Sequence, residues 1–121
     1  TTPMTLLQIS LVSLVALLHL VFMVLEMIYW EKPTGRRIFG TTKEFAIESK
    51  KLAMNQGLYN GFLAAGLVWG VLSGTDGYSI VTFFLCCVVV AGVFGALTVN
   101  RRILWIQAAP AAAALAVIYL F

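Results

Sequence analysis

The sequence predicts an all-α fold: an integral-membrane four-helix bundle in a single domain covering residues 1–121. Three observations predict it. Hydrophobic residues make up 61% of the chain and charged residues 11%, far less charge than a water-soluble domain of this size carries. Four windows, at about residues 4–30, 52–73, 78–100 and 102–121, are each apolar over the ~20 residues a helix needs to cross a bilayer. The basic residues are confined to two places. Lys32, Arg36, Arg37, Lys43, Lys50 and Lys51 flank the first connection, and Arg101 and Arg102 mark the third. The net charge of +3 therefore sits beside the spans, where it sets orientation, and does not mark a nucleic-acid surface.

Met4 reads as a natural start, with Thr1-Thr2-Pro3 as an addition ahead of it. The first span lacks the basic flank and small-residue cleavage pattern of a signal peptide and is longer than its apolar core, so a retained helix is expected. At 100° per residue, Gln8, His19, Glu26 and the flanking Trp30 project within about 40° of one another. Such a stripe should face the bundle. Glu26 lies one turn before Trp30, near the membrane boundary. It serves either a ligand or a lysine or arginine of the loop. His19 lies about 10 Å deeper, and is either a neutral packing residue or a proton relay.

Residues 31–51 read as the one real loop. Pro33 and Gly35 should stop the first helix. Thr41 and Glu44 form a capping-box pattern with Thr41 as N-cap. The second helix is then expected from near Thr42 to about Ser73, roughly 48 Å by helix rise. That exceeds a hydrocarbon core of about 30 Å, so about two turns should project into water.

Lys50–Gly70 is the informative stretch. Asn55, Gln56, Tyr59 and Asn60 share an arc of roughly 140°. Gly57, Gly61 and Ala64 occupy the adjoining arc, and Leu58, Phe62 and Trp69 the back. Polar amides in hydrocarbon must be satisfied, either by neighbouring helices as packing glue or by a ligand. Gly66, Gly70 and Gly74 recur every four residues and favour close helix approach. Ser73–Gly77 reads as a short turn. The third span carries a small-residue line in Ala91, Gly92, Gly95 and Ala96, with Cys86 and Cys87 as small packing residues that have no metal-type spacing around them. Asn100-Arg101-Arg102 reads as a tight turn, and Pro110 should kink the alanine-rich fourth span.

The positive-inside rule puts the first and third loops in the cytoplasm and both termini outside. Trp30 and Trp105 then fall at the inner interface, Trp69 and Tyr78 at the outer. Glu26, Asn55, Asn100 and Gln107 would share the cytoplasmic third of the membrane.

Two resemblances add to this reading. Thr41–Trp69, HLVFMVLEMIYW at 19–30, NQGLYNGFLAAG at 55–66 and AGVFGALTVNRRILWIQAAPA resemble the small bacterial membrane proteins of the domain-of-unknown-function family numbered 1304. More distantly, KEFAIESKKLAMNQGLYNGFLAAGL is similar to the second-helix region of the membrane-associated proteins of eicosanoid and glutathione metabolism. Lys51, Asn55 and Tyr59 match that motif, while Leu58 replaces its glutamate. The thiol-activating arginines of the later helices have no clear counterpart, with Leu97 and the Pro110 region standing in their place. This resemblance implies four spans, a trimer, and a glutathione site opening to the cytoplasm between protomers.

The leading expectation is a small polar or amphipathic ligand bound by Glu26, Lys51, Asn55, Gln56, Tyr59, Asn60, Asn100 and Gln107, with glutathione-type chemistry implied by the resemblance alone. Whether catalysis occurs is left open. One alternative is permeation along a path lined by Glu26 and His19. Another is a structural partner of a second membrane protein. Membrane lipid and further copies of the chain are the expected partners.

Overall fold

A computed structural model describes residues 2–121; Thr1, and with it the first residue of the expected added segment, lies outside the described residues. The described chain is all-α. Its helices are α1 (Leu6–Met27), α2 (Pro33–Phe39), α3 (Lys43–Glu48), α4 (Lys50–Leu72), α5 (Gly77–Thr98) and α6 (Ala109–Leu120), with a 3₁₀ turn at Gly74–Asp76 and a π-helical segment at Leu104–Ala108. Among the described residues there is no strand. Contacts divide the chain into two compact units. One comprises the chain up to Leu17 together with Leu63–Phe121, and the other is Leu18–Phe62.

The first unit has a dry core of Val12, Val15, Ala16, Ala64, Leu67, Val81, Leu85, Val88, Ala111 and Ala114, contributed by α1, α4, α5 and α6. Glycines set its closest approaches. A Cβ at Gly92 would stand 2.6 Å from the Ala108 backbone nitrogen, and one at Gly70 would stand 2.4 Å from Val81 Cγ2. Gly66 faces the Phe84 ring. Gly74, expected to extend this series, instead sits in the 3₁₀ turn at φ 62° with open space around it. Pro110 stands at the start of α6, directly after the π segment, inside a run that is helical from Arg102 to Leu120. The irregularity lies just before it, where the Ala109 N–H reaches back to the Leu104 carbonyl.

The second unit corrects the reading of residues 31–51 as a loop: it contains α2 and α3. Pro33 does not stop a helix; it opens α2, since a fixed φ suits a first helical position. Gly35 is buried inside α2, where a Cβ would collide with the Tyr29 carbonyl. α2 ends at Gly40, φ 67°, whose N–H caps the Arg36 carbonyl. The N-cap of α3 is Thr42 and not Thr41. Its hydroxyl accepts from the Phe45 N–H at 3.1 Å, while the Thr41 hydroxyl is buried without a hydrogen-bond partner. The single helix expected from Thr42 to Ser73 is broken at Ser49 into α3 and α4. There the serine hydroxyl donates back to the Phe45 carbonyl at 2.6 Å, a bond that bends helices.

Two helical stretches are long and apolar enough to cross a membrane: Leu6–Met27 and Gly74–Thr98. The apolar stretch Leu104–Leu120 is shorter.

Candidate functional site

The polar centre of the second unit is a pair. Asn60 Nδ2 donates to Glu26 Oε1 at 2.5 Å, and Asn60 is only 5% exposed. The placement follows from spacing. Ala53, Gly57, Asn60, Ala64 and Leu67 are all buried along α4, alternating four and three residues apart, which is one helical face. Asn60 is the polar member of that face. Gly57 and Gly61 keep the approach close, since a Cβ at Gly57 would stand 2.6 Å from Met27 Cγ and 3.1 Å from Glu26 Cβ. A Cβ at Gly61 would meet Met23 Sδ at 2.7 Å.

The expected polar arc therefore divides. Asn60 turns inward to Glu26, while Lys51, Asn55, Gln56 and Tyr59 are exposed on α4. Among the described residues, the side chains of Lys51, Asn55 and Gln56 make no hydrogen bond or ion pair. Tyr59 lies beside Phe62, ring centroids 6.3 Å apart. The carboxylate expected at equal depth with Asn55 thus bonds Asn60 instead. Nor does Glu26 pair with a loop cation. Glu31 takes that role, 2.6 Å from Lys50 Nζ. His19 is fully buried and edge-on to Phe22, ring centroids 5.3 Å apart.

Sequence reasoning missed the bracing around Trp30. Its Nε1 donates to Ser49 Oγ at 3.0 Å and its ring lies 4.9 Å from that of Phe39. Read from the sequence, Trp30 was a membrane-interface marker; no periodic signal ties it to a serine nineteen residues away.

The remaining candidates belong to the first unit. Asn100 is exposed, and its Oδ1 accepts from the Arg102 N–H at 2.9 Å. It closes the turn before the π segment, as asparagine does in turns. Gln107 is half-buried within the π segment. Gln8, on the stripe of α1, accepts from the Thr5 N–H at 2.9 Å and from the Tyr78 hydroxyl at 3.1 Å. The clefts of this unit are apolar. One is lined by Val12, Ala16, Leu67 and Val71, and another by Phe83, Cys86, Cys87 and Phe94. None of the polar candidates lines either.

Fold and site thus define an all-α protein with two membrane-length apolar helices and a carboxylate–amide pair held between α1 and α4. The chain belongs to the DUF1304 family of proteins of unknown function, whose model matches residues 13–119. It is 34% identical over 106 residues to the uncharacterized protein YpaA of Lactococcus lactis subsp. lactis (strain IL1403), an alignment covering 86% of this chain and 89% of YpaA. No solved structure matches it.

Proposed function

We propose that this is a four-span protein of a bacterial inner membrane that assembles as a homo-oligomer, by resemblance a trimer. It binds a small polar or amphipathic ligand on the cytoplasmic side, against α4. One observation carries the reading. Asn55, Gln56 and Tyr59 are presented outward on α4 beside Lys51, while the neighbouring Asn60 is committed to Glu26. Outward amides at the end of a membrane helix need a polar occupant, and a site completed by a second copy supplies the enclosing wall. The Glu26–Asn60 bond would then fix the helix that displays them.

The distribution of side-chain size supports the membrane setting. The buried positions are mostly valine, alanine and glycine, while Leu14 (47%), Phe83 (63%) and Phe94 (67%) are exposed. Small residues inside and large apolar ones outside is the pattern of helices packed in lipid, and the reverse of a protein facing water. The first and third loops, with their basic residues, would be cytoplasmic, and both termini outside.

A thermal-shift screen of the detergent-purified protein with glutathione and with a lysophospholipid tests the site. Stabilisation by one of them, lost in Asn55→Ala and kept in His19→Leu, is the expected result. Flux in reconstituted liposomes abolished by His19→Leu but retained by Asn55→Ala would replace binding by permeation. Native mass spectrometry showing only monomer would remove the enclosing copy.

A further inference from the structure

The segment 33–48 has a composition that neither a water-facing loop nor a membrane span calls for. α2 and α3 have seven and six residues, too few to hold as isolated helices. They are held from within their own unit by buried Gly35 and Ala46 and by the Trp30 ring against Phe39. Three of their large apolar side chains are exposed: Ile38 (54%), and Phe45 (52%) and Ile47 (53%) on either flank of the buried Ala46. Between and beside these stand Arg36, Arg37 and Lys43. Arg36 is partly engaged, its Nε donating to the Glu31 carbonyl at 3.1 Å. Arg37 and Lys43 are exposed and, among the described residues, make no ion pair. The carboxylate of Glu31 is occupied by Lys50, and Glu44 and Glu48 are exposed without a basic partner.

We infer that residues 33–48 form an interfacial anchor, resting in the headgroup layer of the bilayer. Ile38, Phe45 and Ile47 enter the acyl boundary, and Arg37 and Lys43 bind the phosphates of anionic phospholipids. Apolar side chains flanked by unpaired cations are what such a surface requires, and each basic residue near an anionic surface adds attraction. The tilted contact of Trp30 with Phe39 and its bond to Ser49 fix the anchor to the end of α1, so lipid contact is transmitted to the residue four positions beyond Glu26. The inference rests on the membrane setting proposed above but not on the ligand site.

The test uses the full chain carrying Cys86→Ala and Cys87→Ala, with Ile47→Cys labelled by an environment-sensitive fluorophore and Phe45→Cys as an independent second position. The protein is reconstituted into vesicles of phosphatidylcholine alone or mixed with phosphatidylglycerol. In the anionic vesicles the emission should shift to the blue and be quenched by lipids brominated near the headgroup. Arg37→Gln combined with Lys43→Gln should return it to the phosphatidylcholine value. Equal emission and equal iodide quenching in both lipids, at both positions, would overturn the proposal. So would a shift that survives the double substitution. Carbonate extraction of the same vesicles separates the two readings: an extractable protein defeats the membrane setting itself, and a resistant one with an unshifted label defeats only the anchor.

Discussion

The unit built from the first part of α1 with residues 63–121 and the unit of residues 18–62 are held by different means. The first is an apolar interior of Val12, Val15, Leu67, Val81, Leu85, Val88 and four alanines, closed at glycine seams. The second has few fully buried large apolar side chains and is joined by specific polar contacts: Glu26 with Asn60, Trp30 with Ser49, and Lys50 with Glu31. Close apolar packing tolerates no added volume, whereas a polar joint is sensitive to the loss of one partner. The contrast shows where each kind of substitution should act.

The largest effect is expected at a seam of the first unit. Gly92→Val places carbon atoms where the backbone of Ala108 already stands. A backbone cannot step aside as a side chain can, so the loss should be about 3 kcal/mol or more. Thermal unfolding in detergent measures it, and an unchanged midpoint would mean that the seam is looser than described. In the second unit, Asn60→Ala strips Glu26 of its partner and should cost about 1–3 kcal/mol. Glu26→Gln should cost less, because an amide still pairs with Asn60. Equal losses for the two would point to volume, not pairing, as the cause. Trp30→Phe keeps the ring against Phe39 but removes the donor to Ser49, for about 1 kcal/mol. Hydrogen exchange should then accelerate in 33–48 and stay unchanged in 77–98. The smallest effect belongs to Lys50→Gln. Its ion pair with Glu31 has side chains 51% and 36% exposed, so a change within about 0.5 kcal/mol is expected. A larger loss would place that pair among the joints that hold the second unit.

What the sequence disclosed follows the same divide. Hydrophobic runs located α1, α4 and α5 to within a few residues, and the fourth window took in the π segment together with α6, because length and apolarity are local properties. The stripe through Gln8 and His19 was legible, and both are buried. The glycines at 66, 70 and 92 were rightly read as points of close approach. Residues 31–51 were not legible. Their helices are too short to show a period, and their order depends on Trp30 meeting Ser49. The polar arc of α4 was seen as one surface because a helical wheel shows angle and not neighbours. Only the position of α1 beside Gly57 and Gly61 decides that Asn60 turns inward and Asn55 does not. The convergence of Asn100 and Gln107 with Glu26 was an inference from depth. The structure assigns those two residues to the first unit and Glu26 to the second.

The π segment at Leu104–Ala108 has a consequence for chain length. A π turn holds one residue more than the α turn it replaces. Its surplus residue lies where Ala108 meets Gly92 and where Pro110 opens α6. Removing one residue from 104–106 would let the turn tighten to an ordinary α turn while Ala108, Ala111 and Ala114 keep their facing toward α5. The same deletion inside α5 would rotate everything beyond it by about 100° and strip the seam. Single-residue gaps between this chain and its relatives should therefore be tolerated in the π segment and excluded from the helix it packs against.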